Sequence, residues 1–135
     1  MSEDYGTVDG RNILGIASNV TDDAARANWG GTWRMPTDDE WTWLRDNCTW
    51  EWATENGVYG RKVTSNITGN TIFLPAAGDR YGTSLYDAGS YGYYWSSSLN
   101  TSGSYGAWDV YFHSEEVIGS NYSRCYGFSV RPVSE

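Results

Sequence analysis

The chain has 135 residues, a net charge of −8, and 39% hydrophobic against 19% charged residues, with 8 Trp and 11 Tyr. That length and composition describe a globular protein with one core, read as a single domain over residues 1–135. The negative charge excludes a nucleic-acid partner and binding to an anionic membrane surface, and no apolar run nears the ~20 residues of a spanning helix.

Met1–Gly10 lacks the apolar core of a signal peptide. The first helical pattern is Thr21–Trp29 (TDDAARANW), where Thr21 is the expected N-cap and two acids follow at the positive end of the helix dipole. Ala24, Ala25 and Ala27 favour helix, and Gly30-Gly31 stops it. After an extended link at Trp33–Pro36, Thr37-Asp38-Asp39-Glu40 matches the capping box. Trp41 and Leu44 then follow at helical spacing, which predicts a helix from about Asp38 to Asn47.

Beyond Trp52, glycines punctuate short strand-like runs. Val58–Thr64 and Thr71–Pro75 read as a hairpin joined by a turn at Asn66–Asn70. Trp108–His113 alternates with period two: Trp108, Val110 and Phe112 form a core face, and Asp109, Tyr111 and His113 are expected to project outward. Ile118–Tyr126 (IGSNYSRCY) reads as a loop supplying Tyr122, Arg124 and Tyr126, residue types common among binding hot spots. Gly127–Val133 (GFSVRPV) returns to a strand-like pattern, with Pro132 suited to an edge. The fold class is α+β, with two early helices and a twisted antiparallel sheet with long Gly-rich loops.

Little in the chain specifies catalysis. His113 is the only histidine, and its nearest acid on the same strand face, Asp109, lies four residues away, about 13 Å along an extended chain. No G-x-S-x-G elbow, H-E-x-x-H pair or Gly-rich phosphate loop occurs. Asp79, Asp87, Glu115 and Glu116 offer oxygen ligands, but their spacing fits no calcium loop. Cys48 reads as a buried thiol, while a Cys48–Cys125 bridge stays open. The expectation is a non-enzyme with no cofactor and no metal.

Three motifs carry a family resemblance. Trp33–Glu40 (WRMPTDDE) with Trp41 and Leu44, then Tyr94–Ser98 (YWSSS), then Gly127–Val133 (GFSVRPV) resemble the Fibrobacter succinogenes major paralogous domain, over a span from about Ala24 to Val133. That family is found in gut Bacteroidetes and their phages, and the resemblance implies a C-type lectin-like fold. Some such domains resemble targets of diversity-generating retroelements, which mutate adenines in a C-terminal variable region and leave Tyr, Ser, Asp, His, Cys, Gly or Ile in place of Asn-type codons. The resemblance implies variable ligand contacts at Tyr105, Asp109, Tyr111, His113, Ile118, Ser120, Asn121, Tyr122, Cys125 and Tyr126. Trp95, Trp108, Val110, Phe112, Phe128, Val130 and Arg131 would be scaffold.

Two departures matter. The Glu-Pro-Asn or Gln-Pro-Asp and Trp-Asn-Asp motifs of calcium-dependent lectins are missing, and Cys48 and Cys125 do not form the close pair of formylglycine-generating enzymes. The expected function is therefore a hypervariable ligand- or receptor-binding display domain, an adhesin on a bacterial cell surface or phage tail tip. Its partner would be a protein or glycan receptor on another cell surface, without nucleic acid or membrane insertion. The alternative is a calcium-independent glycan-binding surface module.

Overall fold

The computed structural model describes residues 7–8, 11–12, 23–98, 100–103 and 105–134. Thr7–Val8 (β1) and Arg11–Asn12 (β2) form a short antiparallel pair. The first described helix, α1 (Ala24–Trp29), is capped by Asp23, whose carboxylate accepts from the Ala25 and Arg26 amides at 2.9 and 3.0 Å. The expected cap, Thr21, lies outside the described residues. Asp23 also accepts from the Met35 amide at 2.9 Å, which anchors the helix start to the chain that leaves it. At the other end Gly30 adopts φ 66°, a left-handed conformation cheap only for glycine, and its amide donates to Arg26.

Trp33–Arg34 (β3) leads into α2, Asp38–Asn47, the span read from the sequence. The capping box is closed: the Glu40 amide donates to the Thr37 hydroxyl at 3.2 Å, and Glu40 accepts from the Thr37 amide at 2.9 Å. Arg34 adds a bidentate pair to Glu40 at 2.7 and 2.8 Å. Hydrogen bonds from Arg34 are the largest cause holding the Glu40 carboxyl down at about 2, so the pair supports the folded state above the usual carboxylate range and is lost as pH falls through about 2.

Cys48–Glu55 (β4), Val58–Ser65 (β5) and Thr71–Pro75 (β6) form an antiparallel meander. The β5–β6 hairpin matches the sequence reading. Strand β4 does not follow from it, although Asn56-Gly57, both at positive φ (50° and 79°), is the two-residue hairpin turn that announces such a pair. Asp79–Tyr81 (β7) pairs with Ser84–Tyr86 (β8), while Gly92–Trp95 (β9), Gly106–Phe112 (β10) and Val117–Ser123 (β11) form a sheet ordered β11-β10-β9. Tyr126–Gly127 (β12) adds to β7, and Val133–Ser134 (β13) pairs with β3. The expected single sheet is thus divided into several antiparallel sheets of two or three strands. Ile118–Tyr126 is also not a loop: residues through Ser123 belong to β11.

The three motifs behind the family resemblance meet in space. Ser97 donates its amide to the Pro36 carbonyl at 2.8 Å, and the Ser98 hydroxyl accepts from the Asp38 amide at 2.8 Å, at the start of α2. Trp95 donates to the Ser129 carbonyl and Ser129 to that of Tyr93, at 3.1 and 3.0 Å. The serines therefore satisfy loop backbone that α2 and the C-terminal segment would otherwise leave unpaired.

The core lies between α2, the β4–β5–β6 meander and one face of β9–β10. It contains Trp41, Val63, Leu74, Tyr94, Val110 and Phe112, with Leu44 and Trp50 against it. Phe112 is fully buried, with ring centroids 5.9 Å from Tyr94 and 6.1 Å from Trp50. It occupies the space over Gly92, where any Cβ would collide with its ring. Buried Arg61 ties the meander to the end of β10, donating to the His113 carbonyl at 2.7 and 3.1 Å and to the Trp50 carbonyl at 2.7 Å. Phe112→Ala is expected to cost ~3–5 kcal/mol in a urea or guanidinium titration, through lost burial and a residual cavity. Gly92→Ala should also destabilise, since Phe112 must leave its position.

Candidate functional site

In the β9–β10–β11 register, opposed residues share a face. Asp109 aligns with Trp95 and Ser120, Tyr111 with Tyr93 and Ile118, and Ala107 with Tyr122. The alternate residues, Val110, Phe112 and Tyr94, supply the core. The face away from that core is therefore aromatic. Tyr93 lies at its centre, 8% exposed, with ring centroids 5.8 Å from Tyr111, 5.8 Å from Tyr122 and 4.8 Å from Phe128. Phe128 in turn stacks on Trp95 at 4.2 Å. Tyr126 links Tyr122 to Tyr81 on β7, at 5.9 and 5.1 Å, while Tyr91 links Tyr93 to His113 at 5.9 and 5.1 Å.

Tyr111, Tyr122 and Tyr126 thus come together in one ring network, each half-buried. Ser120 and Ile118 are half-buried on the same face. His113 is half-buried beside Tyr91, and its Nε2 lies 3.1 Å from Glu116. Tyr105 is 54% exposed and its carbonyl accepts from the Arg124 amide. Asn121 is exposed, but it aligns with Trp108 on the opposite face. Cys125 sits in the turn after β11, with its sulfur 3.2 Å from the Ser123 hydroxyl. The face comprises fewer of the expected contacts than the alternation implies, and Arg131, expected as scaffold, is exposed.

Asp109 requires a correction. It was expected to project into solvent, yet it is 0% exposed and neither carboxylate oxygen has a hydrogen-bond partner. The alternation is correct, since Asp109 aligns with Trp95 and Ser120 on the face away from the core, but that face is itself buried at this position. Desolvation, with a smaller contribution from Asp38, pushes its carboxyl up to about 7. Burial likewise raises the phenols of Tyr93, Tyr111 and Tyr122, which stay neutral at physiological pH.

Tyr81, Tyr91 and Tyr93 were not foreseen as members of this face. The signal was present as a second period-two pattern, Tyr91, Tyr93 and Trp95 in YGYYW. The neighbouring β7–β8 hairpin extends the surface with exposed Tyr81, Leu85 and Tyr86. Cys48 and Cys125 are both free thiols, so the open question of a bridge between them is closed. Among the described residues no group of three or more His, Cys, Asp or Glu side chains is placed to hold a metal ion, and no helix is long and apolar enough to cross a membrane. Chemically the face offers large ring area, phenol donors and acceptors, and a buried acid whose carboxyl is pushed up to about 7.

Residues 49–133, which include the meander and this face, match the family described as a domain of unknown function (DUF8237). The chain belongs to the DUF8237 family. No curated protein and no solved structure matches it. In this member, the tyrosine face and its buried acid both fall within the matched segment.

Asp109 makes a clear pH prediction. Its folded pKa is raised, so its contribution is fully present below the unfolded value of about 4 and is lost as pH rises through about 7. Asp109→Asn should match the parent near pH 4 and be more stable at pH 8, by up to about 4 kcal/mol at 1.36 kcal/mol per pKa unit. Paired urea titrations across that range check the widening gap.

Proposed function

We propose that this chain is a ligand-binding display domain of C-type lectin-like type, built as the variable protein of a diversity-generating retroelement in a gut bacterium or its phage. The observation that carries the reading is the division of labour along β10. Val110 and Phe112 are sealed in the core, while Tyr111, Tyr122 and Tyr126 form a half-buried surface around buried Tyr93 on the other side. Rigid rings with polar tips give contact area with little side-chain entropy to lose, the composition favoured in paratopes. The resemblance of WRMPTDDE, YWSSS and GFSVRPV to the Fibrobacter succinogenes major paralogous domain supports the same reading, since these motifs are joined to one another by hydrogen bonds.

In this reading Tyr105, Tyr111, Ser120, Tyr122 and Tyr126 contact the partner, while Asp109 is buried and makes no contact with it. The role is not enzymatic: His113 is engaged by Glu116, and Asp109 has no route to a substrate. The setting is a bacterial surface or phage tail tip. The favoured partner is a protein receptor. Tyr122 stands at 79°, 90°, 80° and 69° to the rings of Tyr93, Tyr111, Tyr126 and Phe128, so it is enclosed by ring contacts and does not stand open as a flat platform for sugar.

The neighbouring DNA tests the diversification half of this proposal. A reverse-transcriptase gene and a near-copy of the segment encoding β10 to β12, differing at adenines in codons for Tyr111, Tyr122 and Tyr126, is the expected result. A neighbourhood without such a copy would contradict it. For the binding half, a library randomised at Tyr111, Ser120, Tyr122 and Tyr126 should yield binders to an arbitrary folded protein such as lysozyme. Failure to enrich any binder from a library whose members fold would count against it.

A further inference from the structure

A second concave surface lies on the other side of His113. The β4–β5 hairpin, the turn before β9 and the turn after β10 converge on a cleft of about 490 Å³, within the roughly 300–1,000 Å³ typical of small-molecule sites. Trp52 and Tyr59 form one wall, their rings nearly parallel at 11° with centroids 6.2 Å apart. Tyr91 and His113 form another, and Ser90, Ser114 and Glu115 line the remainder. Tyr59 is 52% exposed, so its ring is available to a ligand in a way that Tyr93 is not.

We propose that this cleft is a carbohydrate subsite, which takes a neutral sugar residue against the Trp52–Tyr59 and Tyr91 rings with its hydroxyls held by Ser90, Ser114 and Glu115. The choice among ligand classes follows from the lining. An anionic group would meet Glu115 on a chain of net charge −8. The polar rim also carries the Ser90 and Ser114 hydroxyls, set beside the Trp52, Tyr59 and Tyr91 rings. A neutral polyol with an apolar C–H face and a hydroxyl rim uses both. Its C–H face packs on the rings, and the carboxylate and hydroxyls exchange hydrogen bonds with its rim. The cleft shares none of the proposed receptor contacts of the tyrosine face, so the two sites can fail separately.

The test is titration of the whole chain with neutral hexasaccharides of glucose, mannose, xylose and N-acetylglucosamine, followed by tryptophan fluorescence and calorimetry. Hexagalacturonate and the chitosan hexamer serve as charged probes. At least one neutral hexasaccharide should bind saturably, and Tyr59→Ala and Tyr91→Ala should each weaken it by roughly tenfold, the loss of one stacking ring. Glu115→Gln should weaken it as well, without disturbing the fold, because the residue is exposed. Tyr122→Ala should leave it unchanged. The proposal is overturned if no neutral hexasaccharide binds, if only a charged probe binds, if binding survives both ring deletions in folded protein, or if Tyr122→Ala abolishes it.

Discussion

Everything in the C-terminal half depends on Phe112 lying over Gly92. The ring fills the space that a β-carbon would need, and it joins Tyr94 and Trp50 in a continuous apolar layer beneath β9 and β10. Close packing of this kind leaves no room for adjustment, so the strand is held in one register. With the register held, every second residue is assigned to the opposite face, whatever its identity. Arg61 reinforces the arrangement by clamping the carbonyl of His113, immediately beyond the end of β10, to the neighbouring meander.

The opposite face obeys weaker constraints. Its tyrosines meet at centroid distances of 4.8 to 6.2 Å in tilted, stacked and edge-on arrangements, many geometries of modest energy instead of one deep minimum. Such a surface tolerates exchange of its members better than the core beneath it. Asp109 is the exception. Buried and without a hydrogen-bond partner, it has its carboxyl pushed up to about 7 and favours the fold only while it holds a proton. A buried acid of this kind makes the stability of the fold dependent on pH.

Local signals were legible where one residue type decides the outcome. Thr37 and Glu40 announce α2, and Asn66–Asn70 announces the β5–β6 hairpin, because capping and turn chemistry act within a few residues. The core face of β10 was legible at Val110 and Phe112 because its period is two, whereas Trp108, expected with them, is half-buried and outside the core cluster. Long-range features were not legible. Nothing in the sequence neighbours of Asp109 says that it is buried, because it lies across from Trp95 and Ser120 on the two flanking strands. The strand β4 was masked by its Trp, Glu and Thr mixture, and the Trp52–Tyr59 wall becomes visible only when β4 and β5 are paired. Family membership in DUF8237 covers residues 49–133, which hold the β5–β6 hairpin, the tyrosine face and the Trp52–Tyr59 wall but not α2, without naming their use.

The central claim is that a sealed core face along β10 frees the opposite face to change. Saturation mutagenesis of residues 105 to 130 on a display platform, scored by resistance to protease, tests it most directly. The account predicts that Tyr94-facing positions Val110 and Phe112 accept almost no polar substitution, while Tyr111, Ser120, Tyr122 and Tyr126 accept most. Equal intolerance on both faces would contradict it.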